Sequence, residues 1–129
     1  MPPAAGSSAT LVNPVTDADT AVAVGSGDVA VLATPRLIAW CEAATVAAVH
    51  GELPEGRTTV GIQVMVDHFS PSPVGADVEA EAVLEKVHGK KLFFTVSVHD
   101  GRGLVAAGRI TRMVVDTEAF LAKTRPKTD

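Results

Sequence analysis

Between Leu37 and Val49 the chain runs through thirteen residues of which Glu42 alone is charged. Leu37, Cys41, Ala44, Thr45 and Ala48 fall on one stripe at helical spacing, and Ile38, Val46 and Val49 cover much of the remaining surface. The pattern predicts a helix from Pro35 to about Val49, covered on most of its circumference. Thr34 is its expected N-cap, Pro35 opens the first turn, and His50 with Gly51 marks its end. After the linker Gly51 to Gly56 the period changes from 3.6 to 2. Val60, Ile62, Val64 and Val66 alternate with Gly61, Gln63, Met65 and Asp67, and His68 continues the apolar face, which predicts a half-buried strand. Ser70 to Gly75 is a hard break. Ala76 to Val87 alternates again, with Val78, Ala80, Ala82 and Leu84 opposite a solvated row of Asp77, Glu79, Glu81 and Glu85. A turn at His88 and Gly89 leads into Leu92, Phe94, Val96 and Val98, and a turn at Gly101 to Gly103 leads into Leu104 to Asp116. Thr117 to Leu121 predicts a short closing helix.

Ahead of the long helix, Met1 to Thr10 is too poor in large apolar groups to pack and is expected to be a flexible tail. Leu11 to Val24, broken by Pro14, predicts one edge strand followed by a Gly25 to Gly27 loop. The expected organisation is a single domain over 11–124 between tails at 1–10 and 125–129. Strand, helix and then a meander describe an α+β fold in which a curved antiparallel sheet of about five strands wraps one apolar helix, the hotdog architecture. Such a sheet leaves an edge and a helix flank open, so a homodimer is its natural completion.

At 129 residues with 47% hydrophobic content the chain can build a real core. A net charge of −4 gives no basic surplus, so nucleic acid is not an expected partner. Cys41 is the single cysteine and lies in the apolar helix, which excludes an internal disulfide or a multi-cysteine zinc site and reads as a buried thiol. The start has neither a basic segment nor a long apolar run, and no stretch approaches the roughly 20 apolar residues of a membrane span. A cytoplasmic, membrane-free protein is expected. The four histidines lack metal-ligand spacing, and there is no Gly-rich phosphate loop or dinucleotide fingerprint, so neither metal nor cofactor is called for.

Three polar side chains converge in this arrangement: Thr34 at the helix start, Glu42 about two turns inside it, and His68 on the inward face of the first meander strand. An unpaired carboxylate in an apolar helix costs several kcal/mol or takes up a proton. Each residue also has a plain structural explanation. Glu42 can be an ion-paired carboxylate, Thr34 a cap, and His68 a satisfied interior histidine. Arg36, Lys90, Lys91, Arg102, Arg109 and Arg112 are candidate phosphate contacts, with solvation as the default for most of them.

The segments Ala33-Thr34, Trp40-Cys41-Glu42, Gly61 with Asp67-His68, Val98-His99-Asp100-Gly101 and Phe120 resemble the fluoroacetyl-CoA thioesterase-like family of hotdog proteins, over about 30–124. The resemblance implies acyl-CoA thioester hydrolysis with Thr34, Glu42 and His68 as the catalytic set and Gly61 shaping the acyl pocket. The specialised member of that family carries aromatic lid residues just before the helix, whereas Val24 to Val31 here holds none. The acyl group, small or medium, is therefore left open.

The chemistry is coherent without the family. A thioester carbonyl needs donors for its developing oxyanion, and free amides at a helix N-terminus supply them. Pro35 has no N–H, which leaves Arg36 and Leu37 as the expected substrate-binding amides. Glu42 then attacks the carbonyl or activates water, while His68 relays protons or positions the water. A non-hydrolytic module that holds acyl-CoA or a hydrophobic small molecule in the same groove is the rival expectation. A hotdog hydratase fits less well, because the helix has no His before His50 and no Asp.

Overall fold

The computed structural model describes residues 2–127; Met1 and the last two residues of the expected C-terminal tail lie outside the described residues. In chain order the elements are β1 (Ser8–Pro14), a 3-10 turn (Asp17–Asp19), α1 (Ala21–Val24), α2 (Thr34–Ala48), β2 (Arg57–His68), β3 (Asp77–His88), β4 (Lys91–Asp100), β5 (Gly103–Asp116) and α3 (Thr117–Ala122). The strands form one antiparallel five-stranded sheet in the order β1-β3-β4-β5-β2. The chain has the hotdog fold, and α2 packs chiefly on β1 and β3.

Small side chains set that contact. Cys41, Ala44 and Ala48 of α2 meet Val78, Ala80 and Ala82 of β3, so helix and sheet approach closely. Leu37, Leu84, Leu92, Phe94 and Ile110 fill the volume around them and are all at most 1% exposed. Each such side chain contributes about 1.5–3 kcal/mol by leaving water. The covering is one-sided in a single chain: Val46 on the far flank of α2 is 47% exposed, and Ile62 and Met65 on edge strand β2 are 46% and 54% exposed.

Four local expectations are corrected. Pairing begins at Ser8, inside the segment expected to be a tail, because the β3 backbone supplies ladder hydrogen bonds that need no large side chains; the Gly6 amide already donates to the Leu84 carbonyl at 2.8 Å. The strand ends at Pro14, which lacks a donor, and the residues to Val24 form the 3-10 turn and α1 instead of continuing an edge strand. The long helix starts at Thr34 and stops at Ala48, one residue ahead of the expected span at each end, with Ala33 as its N-cap.

The fourth correction bears on the site. The register of β2 against β5 slips between Gly61 and Gln63, so Ile62 is an inserted residue. Uniform alternation would place Gly61 opposite Val64, Val66 and His68. The bulge reverses parity, and Gly61 pairs across to Arg112 just as Val64 pairs to buried Ile110. Gly61 and His68 therefore both face α2. Farther along, a Cβ on Gly108 would strike the Met65 carbonyl and the Val66 Cα, so only glycine lets β5 lie this close to β2.

Asp100 ties the β4–β5 turn to the loop that follows β2. It accepts from the Arg102 amide at 2.8 Å and from Ser72 Oγ at 2.9 Å, and the Arg102 amide, ahead of the Ser72 bond, holds its carboxyl below the usual range. Cys41 is fully buried, and burial, reinforced by the neighbouring Glu42 charge, pushes its thiol up to about 11. The native protein at pH 8 is expected to show no reaction with a disulfide thiol reagent over minutes, and one thiol per chain after denaturation. Rapid native labelling would contradict this packing of α2.

Candidate active site

The site is assembled at two stations along α2. At the first, Thr34 opens the helix and His68 closes β2, and the Thr34 hydroxyl and His68 Nδ1 are 2.8 Å apart. The expected capping role of Thr34 falls to Ala33, whose carbonyl takes the Leu37 amide at 3.0 Å. Ala33 is held there because its amide donates to the Asp19 carbonyl and that of Leu32 to the Ser72 carbonyl. The threonine hydroxyl is thereby released for His68. The same shift removes Leu37 from the expected substrate-binding amides, since its N–H is spent inside the helix. Pro35 has no amide hydrogen, so Thr34 and Arg36 are the free donors of this first turn among the described residues.

His68 Nε2 is shielded from solvent and has no hydrogen-bond partner among the described residues. An unmet N–H at that point costs about 1–3 kcal/mol, which in a lone chain favours the tautomer protonated at Nδ1. For Nδ1 to accept the threonine proton, Nε2–H must find an acceptor outside this chain. A cavity of about 340 Å³ opens beside the pair, walled by Val29, Leu32 and Phe69 and edged by Ser26 and Asp28.

The second station lies around Glu42, which is not the unpaired, dry carboxylate expected from the apolar helix. Its side chain is 37% exposed, and Oε2 accepts from Arg112 Nη1 at 3.2 Å. Arg112 is 7% exposed and is held from behind by Thr59, with Nε on Oγ1 at 2.9 Å and Nη2 on the carbonyl at 3.0 Å. Burial pulls the guanidinium down and Glu42 pulls it back up, the burial effect being the larger. An arginine so placed stays charged at any working pH. Gly61 faces the carboxylate: a Cβ there would lie 2.6 Å from Glu42 Oε2. The absent side chain lets the carboxylate lie this close to β2.

The sequence pattern brings neither Arg112 nor Thr59 into this group and sets Arg112 among candidate phosphate contacts. A signal was available, because Ile110, Arg112 and Val114 share one parity of β5 and an arginine on an inward row calls for an internal anion. Two other candidates are likewise engaged: Arg36 Nε lies 3.2 Å from Asp19, and Arg102 Nη2 lies 3.5 Å from Asp100. The structure thus brings together Thr34 with His68, and Glu42 with Gly61. It does not join the two stations, since eight residues of helix separate Thr34 from Glu42 by about 12 Å.

The model of the family described as fluoroacetyl-CoA-specific thioesterase matches residues 15–118. A fluoroacetyl-CoA thioesterase of Streptantibioticus cattleyicolor is 36% identical over 98 residues, which cover 76% of this chain and 70% of that one. Among solved structures, the fluoroacetyl-CoA thioesterase FlK superposes with a TM-score of 0.91 at 30% identity, covering 98% of each chain. A point mutant of that enzyme in complex with fluoroacetate and CoA gives 0.85 at 28% identity, over 91% of this chain and 98% of that one. A thioesterase superfamily member of Thermus thermophilus gives 0.89 at 26% identity, over 97% and 93% of the two chains. No helix among the described residues is long and apolar enough to cross a membrane. Fold, helix-borne carboxylate and family match converge: the chain belongs to the fluoroacetyl-CoA thioesterase family and is a hotdog-fold thioester hydrolase.

Proposed function

We propose that the protein hydrolyses small or medium acyl-CoA thioesters as a homodimer, using Glu42, His68 and Thr34. The observation that carries this reading is the Glu42 carboxylate, fixed by a buried arginine, seated against Gly61 and still 37% exposed. A carboxylate held in that way can attack a thioester carbonyl or draw a proton from water without first reorganising. The oxyanion is received by the free amides of the α2 N-terminus, where the helix dipole favours negative charge. A CoA-bound relative supports acyl-CoA as the substrate class.

The 2.8 Å contact between Thr34 and His68 favours a second division of labour. In it the histidine draws the proton from the threonine hydroxyl, or from a water in its place, and Glu42 supplies charge across the site. Either division requires the two stations to meet. Antiparallel pairing of β2 with a second β2 would cover Ile62, Val64 and Met65 and lay the α2 start of one chain near the middle of α2 in the other. That pairing would also complete the surroundings of His68 Nε2. It is the reason for reading the protein as a homodimer.

Three experiments test these statements. Glu42→Gln keeps an acceptor for Arg112 and is expected to fold normally while kcat falls at least a hundredfold, read by thiol release from an acyl-CoA panel; near-normal turnover would remove Glu42 from the chemistry. Gly61→Ala places its methyl against the far end of a flexible side chain, so melting is expected to stay within a few degrees while kcat/KM drops about tenfold or more. Light scattering on a size-exclusion column is expected to give twice the 13.3 kDa chain mass. A monomer with full activity would exclude the shared site.

A further inference from the structure

Beyond the candidate centre, an opening one helical turn past Glu42 carries a cation that no other described residue pairs with. A cavity of about 250 Å³ lies between the end of α2 and the start of β2. Val46, Val49 and Leu53 make its apolar wall, while His50, Arg57 and Thr59 make its polar one. Thr59, which holds Arg112 from behind, also lines this cavity and so lies between it and the Glu42–Arg112 pair. Arg57 and Thr59 share one parity of β2, on the side turned to α2.

Three of the candidate cations are engaged elsewhere, and Lys90, Lys91 and Arg109 do not line this cavity. Arg36 is on Asp19, Arg102 on Asp100 and Arg112 on Glu42. Arg57 has no ion-pair partner within 4.0 Å among the described residues. Its cross-strand neighbour Asp116 is engaged as the cap of α3, with Oδ1 on the Ala119 amide at 2.9 Å. Glu52, on the loop after α2, accepts from Ser7 Oγ at 2.8 Å. The negative end of α2 is also muted here: the carbonyls of Val46, Ala47 and Val49 take the amides of Val49, His50 and Glu52. A guanidinium without an ion-pair partner, in a cavity that also presents an imidazole, two threonines and an aliphatic wall, is suited to an anionic oxygen group.

We propose that Arg57, with His50, recognises an anionic oxygen group of the thioester substrate in this cavity. The inference rests on the thioesterase reading above. Two parts of such a substrate carry that chemistry, a carboxylate at the distal end of the acyl chain and the phosphates of coenzyme A. The apolar wall would pack the methylenes that lead to either.

The test uses the full chain and four substrates: succinyl and butyryl thioesters, each on coenzyme A and on N-acetylcysteamine, with Arg57→Gln compared to the parent. Succinyl binding through its carboxylate predicts that Arg57→Gln raises KM about tenfold for both succinyl thioesters relative to their butyryl partners, the scale of one charge-assisted hydrogen bond. Phosphate binding predicts the same rise for both coenzyme A thioesters relative to the N-acetylcysteamine pair. Either pattern, with kcat within about twofold and partial recovery in Arg57→Lys, supports the site. A loss spread evenly over all four substrates, or none on any, overturns it. A parent protein that cleaves none of the four would instead count against hydrolysis of small acyl thioesters.

Discussion

The ion pair between Glu42 and Arg112 is the interaction on which the site depends. A guanidinium buried to this degree is costly to desolvate, and it persists because Thr59 and Glu42 between them take its Nε, Nη1 and Nη2 atoms. The pair is lopsided, with the arginine enclosed and the carboxylate 37% exposed. Such a pair adds little to stability, because the exposed partner keeps much of its hydration. What it fixes is direction. The carboxylate is tethered by one oxygen to a rigid strand and lies against Gly61, with its exposed surface turned elsewhere.

That arrangement needs three elements to agree. Helix α2 supplies Glu42, β5 supplies Arg112, and β2 supplies Gly61 and Thr59. The bulge at Ile62 is the device that reconciles them with His68. Without it, a strand that turned Gly61 toward the helix would turn His68 away, and one station would be lost. An inserted residue costs a ladder hydrogen bond and bends the edge strand. Gly108 removes the obstruction on the neighbouring strand, so β5 can follow β2 closely past the irregularity.

Much of this was legible in the sequence because burial imposes a period. The alternation of Val78, Ala80, Ala82 and Leu84, and that of Leu92, Phe94, Val96 and Val98, left one choice of inward face. The apolar run from Leu37 left one choice for the central helix. What escaped were features that periodicity cannot encode. A bulge is a single-residue exception inside a regular pattern, so Gly61 was placed on the wrong side of β2. Strand β1 is held by backbone bonds to β3, and Ser8, Ala9 and Thr10 carry no bulk to announce it. The start of α2 moved by one residue because Ala33 is fixed by backbone bonds to the preceding loop, which a local capping preference does not register. Arg112 was visible as a charge in an inward row, yet its partner lies seventy residues earlier in the chain.

Dividing the polar groups between the start and the middle of a helix also explains why the fold leaves that helix half covered. A chain that closed its sheet fully over α2 would bury Val46 and satisfy β2, but it would leave Thr34 and His68 stranded about 12 Å from Glu42. Leaving the flank and the edge strand open has an energetic cost in exposed apolar surface. In return it permits a two-fold axis to bring the start of one helix to the middle of another. The same openness bears on substrate choice. The segment before α2 carries Val22 and Val29, 56% and 57% exposed, where an aromatic lid would enclose a small acyl group. Aliphatic residues there would narrow such a mouth less, and under the proposed function selectivity would then fall to the interior around Glu42 and Gly61.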